Sequence, residues 1–507
     1  MKNVVGYIKA GSLGLLILFS VSACSIFGKK QSKVSSTTGA FYATKKSNIG
    51  FKPYDDRKLP NPPGMVFVQG GRTILGSFEE DLYGSRDNIE RTVTVNSFWM
   101  DETEITNSQW REYVHHQYNP QKIYLPKNIE IENPNAKSQQ DLAEPPEPFL
   151  PDYTGPTHSI SNPKMMEDIV PNDDVWTSDF SFNDVYAENY YSSPGFNDYP
   201  VVGVSWRQVV DFSKWRTDNV NLSIIFNMDF KDLPLAFQEE FIVINETTEK
   251  AELAIGGQVI GDVNGEKQLI SVEDFDDFQQ EVVEFINDPL NKREFIERGL
   301  YLPQFRLPNE AEWEYAAKAT IGTVYLDENE EYGRIYPWDG RSTRNPFGKK
   351  RGEQLANFKR GRGDYAGIAG SVNNDGHSIP QKVGEREPND FNLFNMAGNV
   401  SEWVFDTYRP LSFQDFDDLN PVRKNGTGDS EANYGWQSSQ VADSVSYNPQ
   451  LEYRSMVNDR SKVYKGGSWK DVAYWMSPGT RRFIDMDRAS STIGFRCAMI
   501  SIGDGVK

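Results

Sequence analysis

From Tyr336 onward the chain is so dense in Gly, Asn, Asp and Trp that little regular secondary structure fits it, as in Tyr336-Pro-Trp-Asp-Gly340, Leu355-Ala-Asn-Phe358 and Asn395-Met-Ala-Gly-Asn-Val-Ser-Glu-Trp403. Asn, Asp and Gly build turns, through side-chain bonds to their own backbone or through positive φ. A fold that accepts such a stretch is a mixed α+β one whose loops carry much of the backbone. Regular elements concentrate upstream. Met65 to Gly76 reads as two short β runs broken by Gly70-Gly71, hence a hairpin, and Arg91 to Met100 alternates as one further strand. Thr106-Asn107 offers an N-cap for a helix through His115. Pro200 to Trp206 is strand-like, and Arg207 to Asn219 spaces Val209, Val210, Phe212, Ser213 and Trp215 as an amphipathic helix. Arg306 to Ala317 gives another helix, with Asn309 as its cap and Glu310 and Glu312 suited to its N-terminal dipole.

Three stretches interrupt this series. Residues 119–199 are rich in Pro, Asn, Asp and Tyr without a sustained period and read as a long, irregular insertion. Residues 220–300 form a second, acidic insertion with helical patches such as Asp274 to Ile286, and about 411–460 forms a third. Loops of such length in a compact domain are usually functional or partner-binding. No internal repeat is evident.

The N-terminus carries a different signal. Met1 to Lys9 hold two lysines and no acid, Ala10 to Ala23 are apolar, and Val21-Ser22-Ala23 precedes Cys24. That is a charged region, an apolar core and a small-residue cleavage site. The apolar run is shorter than the roughly 20 residues a membrane-spanning helix needs. Small residues flanking a Cys match the lipobox, so residues 1–23 are expected to be a lipoprotein signal peptide and Cys24 the lipidation site. Ser25 in the next position suits the inner leaflet of an outer membrane, because retention elsewhere typically takes an Asp. Residues 24–61, rich in Lys, Ser, Thr and Pro, read as a solvated tether for the domain at 62–503.

Cys24 and Cys497 are the chain's two cysteines; with the first used by lipid, no internal disulfide framework remains. The net charge of −20 disfavours nucleic acid and anionic lipid surfaces as partners. His115, His116, His158 and His377 show no metal-binding spacing. Gly361 to Gly367 lacks phosphate-loop spacing, Arg362-Gly363-Asp364 is a coincidental adhesion tripeptide, and Lys349 to Arg362 reads as a solvated or partner-facing basic loop.

An ordered series of motifs carries a resemblance: Gly64-Met-Val-Phe-Val-Gln-Gly-Gly71, Glu102-Thr-Glu-Ile-Thr-Asn107, Pro200-Val-Val-Gly-Val-Ser-Trp206, Arg306-Leu-Pro-Asn-Glu-Ala-Glu-Trp-Glu-Tyr-Ala316, Met396-Ala-Gly-Asn-Val-Ser-Glu-Trp403, Lys465-Gly-Gly-Ser-Trp469 and Gly494-Phe-Arg-Cys497. The series resembles the formylglycine-generating-enzyme (sulfatase-modifying factor) family from about Gly64 to Ile500. The resemblance implies an α+β fold with little regular structure, related to C-type lectins and held by buried Trp and bound calcium. Within that family, Phe212 to Asp218, Leu355 to Gly370 and Tyr464 to Asp471 are most similar to the gliding-motility and type IX secretion lipoproteins of Bacteroidetes, the GldJ and GldK (PorK) type, with GldJ favoured.

Residue by residue, the resemblance implies one calcium site at Asn357, Phe358, Asp375 and His377 and another at Asn395, Gly398, Val400 and Glu402. Phe358, His377, Gly398 and Val400 would give backbone oxygens only, toward the roughly six to eight oxygen donors that calcium takes. The family's two copper-binding catalytic cysteines fall at Asp471 and Met476, where a hard carboxylate and a thioether cannot reproduce a two-thiolate site. No copper and no oxidase activity are therefore expected. Cys497 reads as core.

The expected function is a non-enzymatic, calcium-stabilised scaffold anchored by lipid to the periplasmic face of the outer membrane. Its expected partners are other gliding and type IX secretion components, in a homo- or hetero-oligomeric assembly, with no nucleic acid. An enzyme of altered chemistry in the same cleft, or a lectin-like binder, are the alternatives.

Overall fold

The computed structural model describes residues 37–38, 40–41, 59–76, 81–118, 129–131, 169–178, 181–226, 234, 237, 242–244, 251–255, 258–260, 268–270, 281–321, 334–371, 374, 377–410, 417–423, 457 and 459–503. The chain divides into two compact units, Met1–Lys58 and Leu59–Lys507. In the first, four residues are described, of which Ala40 donates its N–H to the Thr38 hydroxyl. Cys24 and its flanks lie outside the described residues.

In the second unit the strands before the middle of the chain are β1 (Met65–Val68), β2 (Gly71–Leu75), β3 (Arg91–Val95), β4 (Phe98–Asp101), β5 (Ile129–Ile131), β6 (Ile242–Ile244), β7 (Ala251–Ile255), β8 (Gln258–Ile260) and β9 (Gln268–Ile270). Then follow β10 (Phe305–Arg306), β11 (Ser401–Thr407), β12 (Ser461–Lys465), β13 (Arg482–Asp485), β14 (Ile493–Gly494) and β15 (Ala498–Ile500). The helices are α1 (Asn107–Tyr118), α2 (Asp184–Asn189), α3 (Trp206–Phe226), α4 (Pro289–Glu297) and α5 (Glu310–Lys318).

Two four-stranded sheets organise the body. One has the antiparallel order β1-β4-β15-β10; the other runs β13-β12-β11-β14, antiparallel except for the parallel β11–β14 pair. β2 pairs with β3, β5 with β9, and β6-β7-β8 form a small antiparallel sheet. The hairpin expected across Gly70-Gly71 does not form, because β1 pairs with β4 and β2 with β3. Gly70 sits so close to the Asn96–Ser97 backbone that a Cβ there would lie 2.4 Å from the Ser97 nitrogen, and its N–H bonds the Ser97 hydroxyl. The same contact breaks the expected strand Arg91–Met100 into β3 and β4.

Helix α5 forms as its sequence predicts. Asn309 has extended backbone angles, its side chain accepts from the Glu312 N–H at 2.6 Å, and the Glu312 carboxylate accepts from the Asn309 N–H at 2.9 Å. This reciprocal cap satisfies donors the first turn would otherwise leave free. All nine residues of α5 are buried, so its charges need partners inside the protein. Glu310 is paired with Arg423, Lys465 and Arg481, and Glu314 with Lys318 and Lys465. These cations hold the Glu310 carboxyl down at about 2 against the opposing effect of burial, with Arg481 the strongest.

Tryptophan N–H groups tie the loops to this frame. Trp110 donates to the Ile169 carbonyl, Trp206 to Val404, Trp403 to Val204 and Trp469 to Ser491, at 2.9–3.1 Å. Each ring buries a large apolar surface while its one polar atom fixes a stretch of irregular backbone. Trp110 stacks on Phe212, their centroids 5.3 Å apart, and meets Phe495 edge-on, joining α1, α3 and the C-terminal strands.

Parts of the three expected insertions belong to this body. Within 119–199, Trp176 and Tyr190 are buried against Val202, Val400 and Trp469, and α2 lies beside them. α3 runs to Phe226 rather than Asn219 and buries Leu222 and Ile225; Phe295 and Leu300 are buried as well. In the third stretch, Asn420 donates to the Thr94 carbonyl and Arg423 is buried on Glu310. An aromatic or arginine spaced singly in a polar stretch leaves no period, yet one such residue inserted into the core fixes the backbone around it.

Candidate functional site

The turn after β12 delivers the residues expected to replace a catalytic pair. Gly466 and Gly467 both adopt positive φ, and a Cβ on Gly466 would lie 2.9 Å from the Trp313 ring, so this turn is closed to other residues. Beyond it, the Asp471 carboxylate accepts from Ser468 Oγ at 2.5 Å and from both terminal nitrogens of Arg482 at 2.6 and 2.7 Å. The Arg482 guanidinium also lies 4.6 Å from the centroid of Trp475 and 4.9 Å from that of Tyr464. Met476 is fully buried and packs with Ala356, Phe358 and Ala397.

Between Trp475 and the loop at 81–88 lies a cavity of about 330 Å³, whose wall includes Asp81, Tyr83, Asp87, Tyr474, Trp475 and Arg482. Tyr83 is stacked on Trp475 and meets Tyr474 edge-on. Burial works against the charge of Asp81, but the Arg86 and Ser85 N–H groups and the Ser85 and Tyr474 hydroxyls outweigh it and hold the carboxyl below its usual range. Tyr474 is pushed up to about 12 by burial and by Asp81 beside it. No Cys or His lines this cavity among the described residues. Cys497, the one described cysteine, is buried elsewhere, with its thiol pushed up to about 12 by burial first and Asp101 second. The wall therefore offers aromatic faces, hydroxyls, carboxylates and guanidinium groups.

The residues of the first expected calcium set are partly brought together. Asn357 is buried, its amide donates to the Ile379 carbonyl at 3.0 Å, and its Oδ1 has no hydrogen-bond partner among the described residues. Phe358 is buried next to it; Asp375 lies outside the described residues. The His377 ring nitrogen Nε2 lies 3.2 Å from the Glu385 carboxylate, so its ring is engaged apart from the backbone oxygen expected of it. An unpaired buried amide oxygen costs roughly 1–3 kcal/mol, so this donor set fits a hard cation.

The second set is arranged otherwise. Gly398 adopts a positive φ, a Cβ on it would strike the Asn357 carbonyl at 2.4 Å, and Asn399 donates to that same carbonyl. Asn395 and Asn399, both left-handed, donate their amides to the buried Glu104. Val400 is buried in an apolar cluster. Glu402, expected as the carboxylate of this set, is the counter-ion of Arg496 at 2.6 and 2.7 Å and also accepts from the Trp313 N–H at 2.7 Å. Arg496 is wholly buried and donates further to the carbonyls of Asp101, Glu102 and Phe394. With its charge already balanced, Glu402 does not fit the role of a free calcium carboxylate.

The motif reading missed Arg496 and Glu104 as the charges at the centre of this network, although both lie inside quoted motifs. Burial raises Glu104 to about 7, with Arg496 opposing and Glu402 adding to the rise. Among the described residues no three His, Cys, Asp or Glu side chains converge as a metal cluster, and no helix is long and apolar enough to cross a membrane.

One antiparallel and one mixed sheet, joined by Trp-tethered loops, with a cleft beside the turn that follows Gly466-Gly467, define an α+β loop-rich body. Residues 51–500 match the sulfatase-modifying factor enzyme 1-like domain, and the chain belongs to that family. The formylglycine-generating enzyme of Streptomyces coelicolor is 35% identical over 123 residues, 24% of this chain and 32% of that protein. The Mus musculus formylglycine-generating enzyme is 24% identical over 196 residues, 38% of each chain. The Mus musculus inactive C-alpha-formylglycine-generating enzyme 2 is 32% identical over 130 residues, 25% of this chain and 34% of that protein. The chain thus aligns with about a third of the length of the curated relatives it matches. Among solved structures, PvdO from Pseudomonas aeruginosa is 14% identical with a TM-score of 0.37 over 86% of this chain and 94% of that one. CarF is 14% identical with a TM-score of 0.34 over 89% and 99%.

Proposed function

We propose that the chain is a non-enzymatic scaffold lipoprotein of the gliding-motility and type IX secretion machinery, anchored through Cys24 to the periplasmic face of the outer membrane. The observation that carries its non-enzymatic part is the state of Asp471 and Met476. The first is locked to Arg482 and Ser468, the second sealed in an apolar cluster, and among the described residues no thiol lines the cleft beside them. A relative whose own name calls it inactive supports the idea that this family keeps its body without its chemistry. Assignment to gliding and secretion rests on the motif resemblance, GldJ type favoured, and the same holds for partners drawn from that machinery.

Calcium, in this reading, is structural and sits at Asn357, whose buried Oδ1 lacks a partner among the described residues. Asn357 and Asp375 would give side-chain oxygens, and Phe358 and His377 backbone oxygens. Deleting the gene tests the function: secretion of type IX cargo and surface gliding are expected to stop. A deletion strain that secretes and glides normally would sink the proposal, while conversion of a substrate cysteine by the purified chain would restore the enzyme reading.

A further inference from the structure

Residues 341–362 contain eight Lys and Arg against a single carboxylate, Glu353, in a chain whose net charge is −20. The structure gives this stretch a definite shape. Arg344 and Gln354 form an antiparallel bridge, Asn345 exchanges backbone bonds with Gly352 and Glu353, and Leu355 donates to Thr343. Below the ribbon, Tyr336 and Trp338 stack at 5.1 Å and pack with Phe358 and Met476, so its base is fixed to the core. At its tip Phe347 is 74% exposed, Gly348 has positive φ, and a Cβ there would meet nothing within 4 Å. Arg341, Arg344, Lys349, Lys350, Arg351 and Arg362 are exposed. Lys350 shares a surface pair with Glu387, and Arg360, at the base, pairs with Asp364.

The tip thus presents an exposed apolar ring collared by cations. A plane of phosphates over an apolar layer meets both features without shape complementarity: the cations remain at headgroup level and the ring enters beneath them. We infer that the ribbon tip around Phe347 is a docking surface for bilayers that contain anionic phospholipid. The acidic remainder of the chain does not prevent this, since charges farther away than about 8 Å are largely screened at physiological ionic strength. Its repulsion instead favours the one orientation in which the ribbon faces the lipid. The inference goes beyond the scaffold reading and stands or falls separately from it.

The test is partition of the full chain onto vesicles of zwitterionic lipid alone and of the same lipid with one-third anionic phospholipid. The Lys-bearing N-terminal segment is common to the unaltered chain and its variants, so its contribution cancels when their ratios are compared. A ratio well above one is expected, falling on the order of a hundredfold in Lys349→Glu/Lys350→Glu/Arg351→Glu, since each cation near an anionic surface adds a similar increment. Phe347→Ser is expected to lower the partition onto the anionic vesicles while leaving thermal unfolding unchanged, because the ring is exposed. A ratio near one for the unaltered chain would overturn the proposal. So would a ratio untouched by charge reversal, or selective retention on immobilised polyglutamate together with a ratio near one, which would point to an acidic protein partner.

Discussion

Glu402→Gln removes one negative charge from the centre of the protein and leaves the shape nearly unchanged. The Arg496 guanidinium would remain, wholly buried, with its carboxylate gone. The new amide must also turn its NH2 toward a donor on Arg496 or Trp313, since both Glu402 oxygens are occupied by such donors. Breaking a buried pair from one side costs about 3–5 kcal/mol. The carbonyls of Asp101, Glu102 and Phe394 still solvate Arg496, which places the expectation near the lower end, about 3 kcal/mol. Glu104 adds a pH dependence. Glu402 helps to raise its carboxyl, so the substitution lets Glu104 ionise more readily and serve Arg496 as a substitute counter-ion. The deficit should therefore be larger near about pH 5, where Glu104 is protonated, than near about pH 8. Urea denaturation with unchanged slope measures both. Repeating it with a calcium chelator separates the two roles of Glu402. As a counter-ion its loss costs the same with and without chelator, whereas as a calcium ligand its deficit should vanish once the metal is gone. A loss below about 1 kcal/mol, or one abolished by chelation, would refute the counter-ion reading.

In the unaltered protein, Glu104 has a folded value raised above its unfolded one, so its contribution is present in acid and is lost as pH rises from about 4.5 through about 7. Stability measured across that window should fall, and Glu104→Gln should flatten the slope. Met476→Ala should cost about 2–5 kcal/mol by thermal or urea unfolding, because the fully buried thioether leaves a void among Ala356, Phe358 and Ala397. Asn309→Ala should cost about 1 kcal/mol through loss of the α5 cap, read by the same assay. A chelator should lower the melting temperature of the unaltered chain but not that of Asn357→Ala, whose orphan oxygen is absent; equal responses would remove calcium from that site.

What the sequence disclosed follows the distance over which each interaction acts. The α5 cap joins two residues three positions apart, Asn309 and Glu312, and its cap residue was legible in the sequence. The strands on either side of Gly70-Gly71 were legible as strands, but not their partners. Alternation says which face is apolar, while pairing depends on Asn96 and Ser97 meeting Gly70 from elsewhere in the chain. Glu104 and Arg496 stood in motifs that were read for family likeness, yet Glu402 and Arg496, which meet there, are 94 positions apart, and Glu104 stands farther off still in the chain. No local pattern announces such a meeting. The expected insertions show the converse error: their polar composition was visible, and the burial of Trp176, Tyr190 and Arg423 within them was not.

The same geometry bears on how a family body could outlive its chemistry. Trp110, Trp206, Trp403 and Trp469 hold loops by bonds to carbonyls of Ile169, Val404, Val204 and Ser491, none of which involves position 471 or 476. Glu310 with its three cations, and Arg496 with Glu402, are buried charges paired with one another. Met476 fills a cluster with Phe358 and Ala397, and Asp471 pairs with Arg482. On the proposed reading that these residues stand in place of catalytic thiols, each adds packing or pairing where a catalytic site would need an open, reactive atom, so that stability and activity would pull the two positions in opposite directions. Asp471→Cys/Met476→Cys tests that argument: the variant should unfold at lower temperature, with Arg482 stripped of its partner and the apolar cluster less filled. A variant as stable as the parent would mean that the present residues confer no such advantage.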